Sequence, residues 1–332
     1  MRLSLVFIFV SFFAFAQQNS QQLAYQYYLN GEYDKASTLY KDLFEYQFSP
    51  IYYRPYFSSL FNIGDYKEAE ILAKKAVKLY PKSLSYQLEV AISQEKSGYR
   101  SKAERTYKKL FDRITGQQSQ AINLANTFKR YEMYDEALQI YIASEKINPK
   151  ANFRIQKAQL YSNLGKPELM INEYLNELAS NHTKKKMIVG KVQKFLNNDG
   201  IKSDLNYQIV KKCLLPHVRN ESDRSDFSEI LIWLFMQNAQ YEMALRQAKA
   251  LDKRTNNNAE GVYDIGEAFL DDNRYELAVE AYEYILTKGK NNNFFIEANI
   301  NKLYALTKSL NEQKKDIRIL DKRYKEVISE LG

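Results

Sequence analysis

Gly31-Glu32-Tyr33-Asp34-Lys35-Ala36 has a counterpart 33 residues further on, Gly64-Asp65-Tyr66-Lys67-Glu68-Ala69, and the phase then continues. Further copies are Gly98-Tyr99-Arg100-Ser101-Lys102-Ala103, Glu132-Met133-Tyr134-Asp135-Glu136-Ala137 and a weaker Gly165-Lys166-Pro167-Glu168-Leu169-Met170. After a gap come Ala239-Gln240-Tyr241-Glu242-Met243-Ala244 and Asn273-Arg274-Tyr275-Glu276-Leu277-Ala278. Successive starts lie 33, 34, 34, 33, 74 and 34 residues apart. Self-similarity at such a period marks a supersecondary unit repeated in tandem.

The motif reads as the turn between two antiparallel helices, A and B. Glycine at its head suits a helix end that needs positive φ. The alanine five positions later falls on helix B, where a small side chain lets two helices approach. Four residues on stand Tyr40, Ala73, Tyr107, Tyr141, Tyr174, Ala248 and Tyr282, on the same face and directed at helix A. Pro81 and Pro149 fall between units and end helix B. Composition agrees: with 11 Gly and 6 Pro in 332 residues the chain is poor in the residues that tight turns consume, which argues against an all-β fold.

On these residues the chain resembles the tetratricopeptide repeat family over nearly all its length after residue 16. The resemblance implies an all-α, right-handed superhelical solenoid of antiparallel helix pairs. Five repeats are expected over 17–183, an irregular pair over 184–224 with helices near 184–197 and 203–218 joined through Asn197-Asn198-Asp199-Gly200, and a second array over 225–332. Residues 294–310 and 312–331 read as a last pair without the turn motif. Phe57 and Ile232 depart from the family, standing where helix A usually carries a small residue. No polar capping helix closes the chain at Leu331-Gly332, so the array is expected either to be capped by its last helix or to continue in a longer protein.

Met1-Arg2, the apolar run from Leu3 to Phe13 and the small-x-small Ala14-Phe15-Ala16 match a cleavable signal peptide over 1–16. The run is too short to span a bilayer, and no second long apolar stretch follows. The expected address is therefore outside the cytoplasm, periplasmic or associated with an outer membrane, with no transmembrane span after cleavage. The leader, the Asn/Lys/Tyr-rich composition and the stretch Trp233–Tyr241 are similar to exported tetratricopeptide proteins of Bacteroidota envelopes, which are generally longer.

Chemistry is sparse. There is no phosphate loop or nucleophile elbow, and two His with one Cys leave little material for a metal site or a nucleophile–base pair. No enzyme activity, cofactor or metal is expected. Net charge is +8 with 40 acids dispersed among 48 bases, not the concentrated basic footprint of a nucleic-acid binder. Cys213 reads as a small core hydrophobe, and His182 as a surface residue in an inter-repeat turn.

The resemblance implies a groove lined by helix A at positions 2, 5, 6, 9, 12 and 13, counting the motif head as 15. Repeat four then offers Asn123, Asn126, Lys129 and Arg130, and repeat five Asn152, Gln156, Gln159 and Asn163. Amides that both donate and accept suit the backbone of an extended peptide, and Lys129 and Arg130 suit a ligand carboxylate. Repeats one and two offer Tyr25, Tyr28, Arg54, Phe61 and Asn62, an aromatic-plus-Arg surface of the hot-spot kind. The same residues also read as a solvated helix face. The expected partner is a protein or peptide. Two rival readings are a structural subunit of a larger envelope, secretion or gliding assembly, and a glycan-binding protein that stacks tyrosines on sugars.

Overall fold

All seven motif heads adopt the left-handed backbone that the spacing demands: Gly31, Gly64, Gly98 and Gly165 at φ +65° to +83°, and also Glu132, Ala239 and Asn273 at +54° to +58°. Each turn closes with the same pair of backbone bonds. At the second motif, Asp65 N donates to Leu60 O at 2.9 Å and Gly64 N to Phe61 O at 3.3 Å. Where glycine is missing the pair persists, as in Gln240 N to Phe235 O at 2.9 Å and Ala239 N to Met236 O at 3.2 Å. This is the Schellman closure, which satisfies the last carbonyls of helix A and reverses the chain.

The computed structural model describes residues 20–197, 204–220 and 224–312, together with Lys325. Residues 20–29 form α1, followed by α2 (Tyr33–Tyr46), α3 (Pro50–Asn62), α4 (Tyr66–Leu79), α5 (Leu84–Lys96), α6 (Arg100–Phe111), α7 (Gln118–Arg130) and α8 (Tyr134–Ile147). Then come α9 (Arg154–Asn163), α10 (Pro167–Ser180), α11 (Lys185–Leu196), α12 (Asp204–Asn220), α13 (Asp226–Gln237) and α14 (Tyr241–Thr255). The last are α15 (Glu260–Asp271), α16 (Tyr275–Leu286) and α17 (Phe295–Glu312). No strand occurs among the described residues. The fold is a tetratricopeptide-like array of helix pairs, as the period predicts.

Two compact units divide the chain, residues 1–153 and 154–332. In unit 1 successive helices from α2 to α6 pack on one another, α7 packs on α8, and the A helices α5 and α7 also touch. In unit 2 the expected irregular pair is α11 and α12; α12 packs on both α10 and α13. The leader expected over 1–16, Asn198-Asp199-Gly200 of the expected joint and, apart from Glu312 and Lys325, the final helix expected over 312–331 lie outside the described residues.

The motif alanines Ala36, Ala69, Ala103, Ala137, Ala244 and Ala278 are buried, and Met170 takes the place of the seventh. The large residues that depart from the family pattern have a volume explanation. Position 8 of helix A and the residue nine after the motif head trade size along the chain. Ala24, Ala91, Ala125, Ala158 and Gly266 are matched with Tyr40, Tyr107, Tyr141, Tyr174 and Tyr282, whereas Phe57 and Ile232 are matched with Ala73 and Ala248. At Gly266 the fit leaves no slack: a Cβ there would lie 2.9 Å from Tyr282 Cε1. A large residue on one helix is thus accompanied by a small one on the other, which holds their combined volume nearly constant.

Candidate binding surface

Helix A of repeat three places Glu89 among Leu88, Ala91 and Ile92, so its carboxylate is 3% exposed. A buried charge needs donors, and the neighbouring repeats supply three. Tyr53 on α3 donates to Oε2 at 2.7 Å. Arg130 at the end of α7 donates through Nη1 to Oε1 at 2.9 Å, and the Tyr131 hydroxyl donates to the same oxygen at 3.1 Å. Rings enclose the group: Tyr131 lies 4.6 Å from Phe61 and 5.9 Å from Phe57, and Tyr53 meets Tyr86 edge-on at 4.8 Å. Burial pushes the Glu89 carboxyl above its ordinary range, opposed by the Tyr53 hydroxyl, the Arg130 charge and the Tyr131 hydroxyl. Burial also holds both tyrosines well above theirs.

Most of the residues expected to line a groove belong to unit 1. Tyr25 is 54% exposed on α1. The Tyr28 hydroxyl donates to Ser58 Oγ at 3.3 Å and the Asn62 amide to Ser58 O at 2.7 Å, so Ser58 brings those two together. Arg54, Asn123 and Asn126 are exposed, and Lys129 is half-buried. Arg130 is 37% exposed, and its carboxylate partner is Glu89 of the same chain. Asn152 is exposed, and its backbone carbonyl accepts from Gln118 Nε2 at 3.3 Å. In unit 2, Gln156 is half-buried while Gln159 and Asn163 are exposed on α9.

A second surface lies in unit 2, at groove positions 2, 5, 6 and 9 of the two later repeats. Helices α13, α14 and α15 enclose an open cleft of about 570 Å³ lined by Glu229, Trp233, Leu251, Asp252, Glu260 and Asp264, among others. Its rim is a strained connection in which Asn256, Asn258 and Ala259 all have positive φ. Asp252, 5% exposed, fixes that connection. Its Oδ1 accepts from Ala259 N at 2.7 Å; its Oδ2 accepts from the Tyr284 hydroxyl at 2.7 Å and pairs with Lys288 Nζ at 2.5 Å. Burial acts to raise the Asp252 carboxyl, but Lys288, Tyr284 and the Ala259 N–H outweigh it and hold it below the ordinary value.

Across the cleft Glu229 is bonded to Lys185. Glu260 accepts from the Asn257 amide at 3.3 Å, and Asp264 is exposed. Burial, and then the like charges of Glu260 and Glu267, push the Asp264 carboxyl up. Trp233, at position 9 of its repeat, is half-buried in the same cleft.

Cys213 is buried, and burial pushes its thiol up to about 11, which suits core packing and not a nucleophile. His182 is exposed, and His217 stacks on Phe227 at 4.8 Å. Among the described residues no group of three His, Cys, Asp or Glu is arranged to hold a metal ion, and no helix is long and apolar enough to cross a membrane.

No family model matches the chain, and no curated protein matches it. Solved structures similar to it include a tetratricopeptide repeat protein from Parabacteroides merdae, 14% identical over 86% of this chain and 98% of its own, with a TM-score of 0.29. A chain of the APC/C hetero-tetramer Cut9–Hcn1 is 16% identical over 82% of this chain and 52% of its own, with a TM-score of 0.28. A chain of Naa15/Naa10 bound to HypK-THB is 15% identical over 75% of this chain and 38% of its own, with a TM-score of 0.31. This chain thus spans about half of the Cut9–Hcn1 chain and less of the Naa15/Naa10 chain.

Proposed function

We propose that the protein is a non-enzymatic scaffold of the cell envelope that binds a peptide or partner protein along the exposed faces of its A helices. The observation that carries this reading is the repeated turn. Seven identical closures reverse the chain after each A helix, so within each unit the A helices recur in the same local geometry and present solvent-side residues at repeat intervals. A ligand meeting such a surface finds side chains already ordered, which lowers the entropy lost on binding. The exposed amides of Asn123, Asn126, Gln159 and Asn163 suit a peptide backbone. The envelope address rests on the leader-like residues 1–16, where Met1-Arg2 precedes the apolar run and Ala14-Phe15-Ala16 ends it.

Photo-crosslinking in the native cell tests both parts. Benzoylphenylalanine at Asn126 or Asn163 is expected to capture a discrete partner, whereas the exposed B-helix positions Lys75 and Lys253 are expected to stay silent. Equal capture from both faces counts against the reading, and recovery of the protein only from the cytoplasmic fraction counts against the address. Arg130 is a poor probe, because replacing it also strips Glu89 of its cation.

The structural-subunit reading keeps one observation of its own. Tyr46 and Ile51 flank one inter-repeat connection of unit 1, and Leu79 and Tyr80 stand at the next, all 46–75% exposed. Crosslinks from Tyr46 or Leu79 in place of Asn126 favour docking through that edge.

A further inference from the structure

The cleft of unit 2 is unlike the hub of unit 1 in its charge. Its described lining residues include four carboxylates and no Lys, Arg or His. Two of the four are balanced by cations from outside the cleft, Glu229 by Lys185 and Asp252 by Lys288. Glu260 and Asp264 are both exposed, one turn apart on α15, and the charges nearest Asp264 carry its own sign. A cation entering here relieves that repulsion, whereas an anion adds to it. Beside the acids stand Trp233 and the aliphatic walls of Ile232, Leu251 and Ile265. An indole next to carboxylates serves a side chain that is cationic at its tip and apolar along its stem. The volume accommodates a few residues of extended chain.

We propose that the cleft between α13, α14 and α15 recognises a lysine- or arginine-bearing segment of a partner protein, with Trp233, Glu260 and Asp264 as its contact groups. This deepens the scaffold reading and rests on it. The wall is preformed, because Asp252 clamps the connection over 256–259 through the Ala259 N–H, so a basic segment meets side chains already in place.

Trp233 is the sole tryptophan of the chain, so its emission reports the cleft directly. The full chain is titrated with a blocked octapeptide of alternating lysine and alanine, with arginine and glutamate counterparts as comparisons. Saturable changes in emission are expected with the lysine and arginine peptides, and none with glutamate. Affinity should fall about tenfold in the Glu260→Gln, Asp264→Asn double variant and fall with added salt. Both residues are exposed and the replacements are isosteric, so an unchanged circular dichroism spectrum certifies the fold. No response to either basic peptide, or an equal response in the double variant, overturns the proposal. Capture of a partner at Asn126 alongside a silent Trp233 removes the cleft and leaves the scaffold standing. Absence of any partner at either A-helix probe removes the scaffold itself.

Discussion

Glu89 and Asp264 hold the same place in their repeats, position six of helix A, yet one is closed inward and the other faces solvent. The difference lies in what stands around them. Thirty-six residues before Glu89 is Tyr53, whose hydroxyl reaches the carboxylate; thirty-six before Asp264 is Ser228, whose hydroxyl is occupied by Arg254. After Glu89 come Arg130 and Tyr131, which complete its shell; near Asp264 come Glu260 and Glu267, which oppose it. One repeat frame therefore uses an acid at this position either to tie three repeats together or to present charge outward. Neighbouring repeats decide which, and the position alone does not.

The strongest way to break the comparison is to remove the hub's cation. Arg130→Ala strands the buried Glu89 charge and is expected to cost unit 1 about 2–4 kcal/mol, after discounting for the partial exposure of the guanidinium. Urea melts read the loss, and Glu89→Leu in the same background is expected to recover part of it. Recovery from the second substitution distinguishes a stranded charge from lost packing.

Asp252→Ala is expected to cost unit 2 about 2–3 kcal/mol, through the Ala259 N–H and the Lys288 ammonium it leaves unmatched. The two carboxylates should also differ in the sign of their pH dependence. Glu89 has a raised folded pKa, so its ionised form costs stability at neutral pH, and that cost disappears as pH falls through the raised value toward the ordinary 4.5. Asp252 has a lowered one, so its contribution is present above the ordinary 3.8 and is lost as pH falls through the folded value. Hydrogen exchange resolved by unit, with Glu89→Gln and Asp252→Asn, checks both signs. Parallel acid profiles in the two units would remove the contrast.

Smaller effects belong to the turns, which both units share. Ala239→Gly relieves a left-handed alanine and is expected to gain about 0.5–1 kcal/mol, while Gly64→Ala loses about 1 kcal/mol. Thermal melts of the two single variants test this. Smallest of all, the double variant at Glu260 and Asp264 should leave stability within about 0.5 kcal/mol, because both acids are exposed and the Asn257 bond to Glu260, at 3.3 Å, is long.

The turns were legible because their signal is local: phase, a small motif residue and the partner four positions on reveal a helix reversal even where Glu132 or Ala239 replaces glycine. The size exchange between Phe57 and Ala73 was also present in the sequence, in positions sixteen residues apart, although reading Phe57 alone made it look like a departure. The hub was not legible. Glu89 meets Tyr53, Arg130 and Tyr131 at separations of 36, 41 and 42 residues, and one-dimensional spacing names groove positions without saying which charge finds a partner. For the same reason Arg130 reads from sequence as a ligand contact. Trp233, Glu260 and Asp264 stand at groove positions 9, 2 and 6, but the shape of the cleft around them depends on a strained connection over 256–259 that no motif marks.

The most direct test of the contrast is a carboxyl-carbon NMR titration of Glu89 and Asp264, assigned by Glu89→Gln and Asp264→Asn, with the alternating lysine–alanine octapeptide. The Asp264 resonance is expected to shift saturably while Glu89 stays fixed. Movement of Glu89 with a stationary Asp264 would mean that the hub, and not the cleft, is the surface open to a partner.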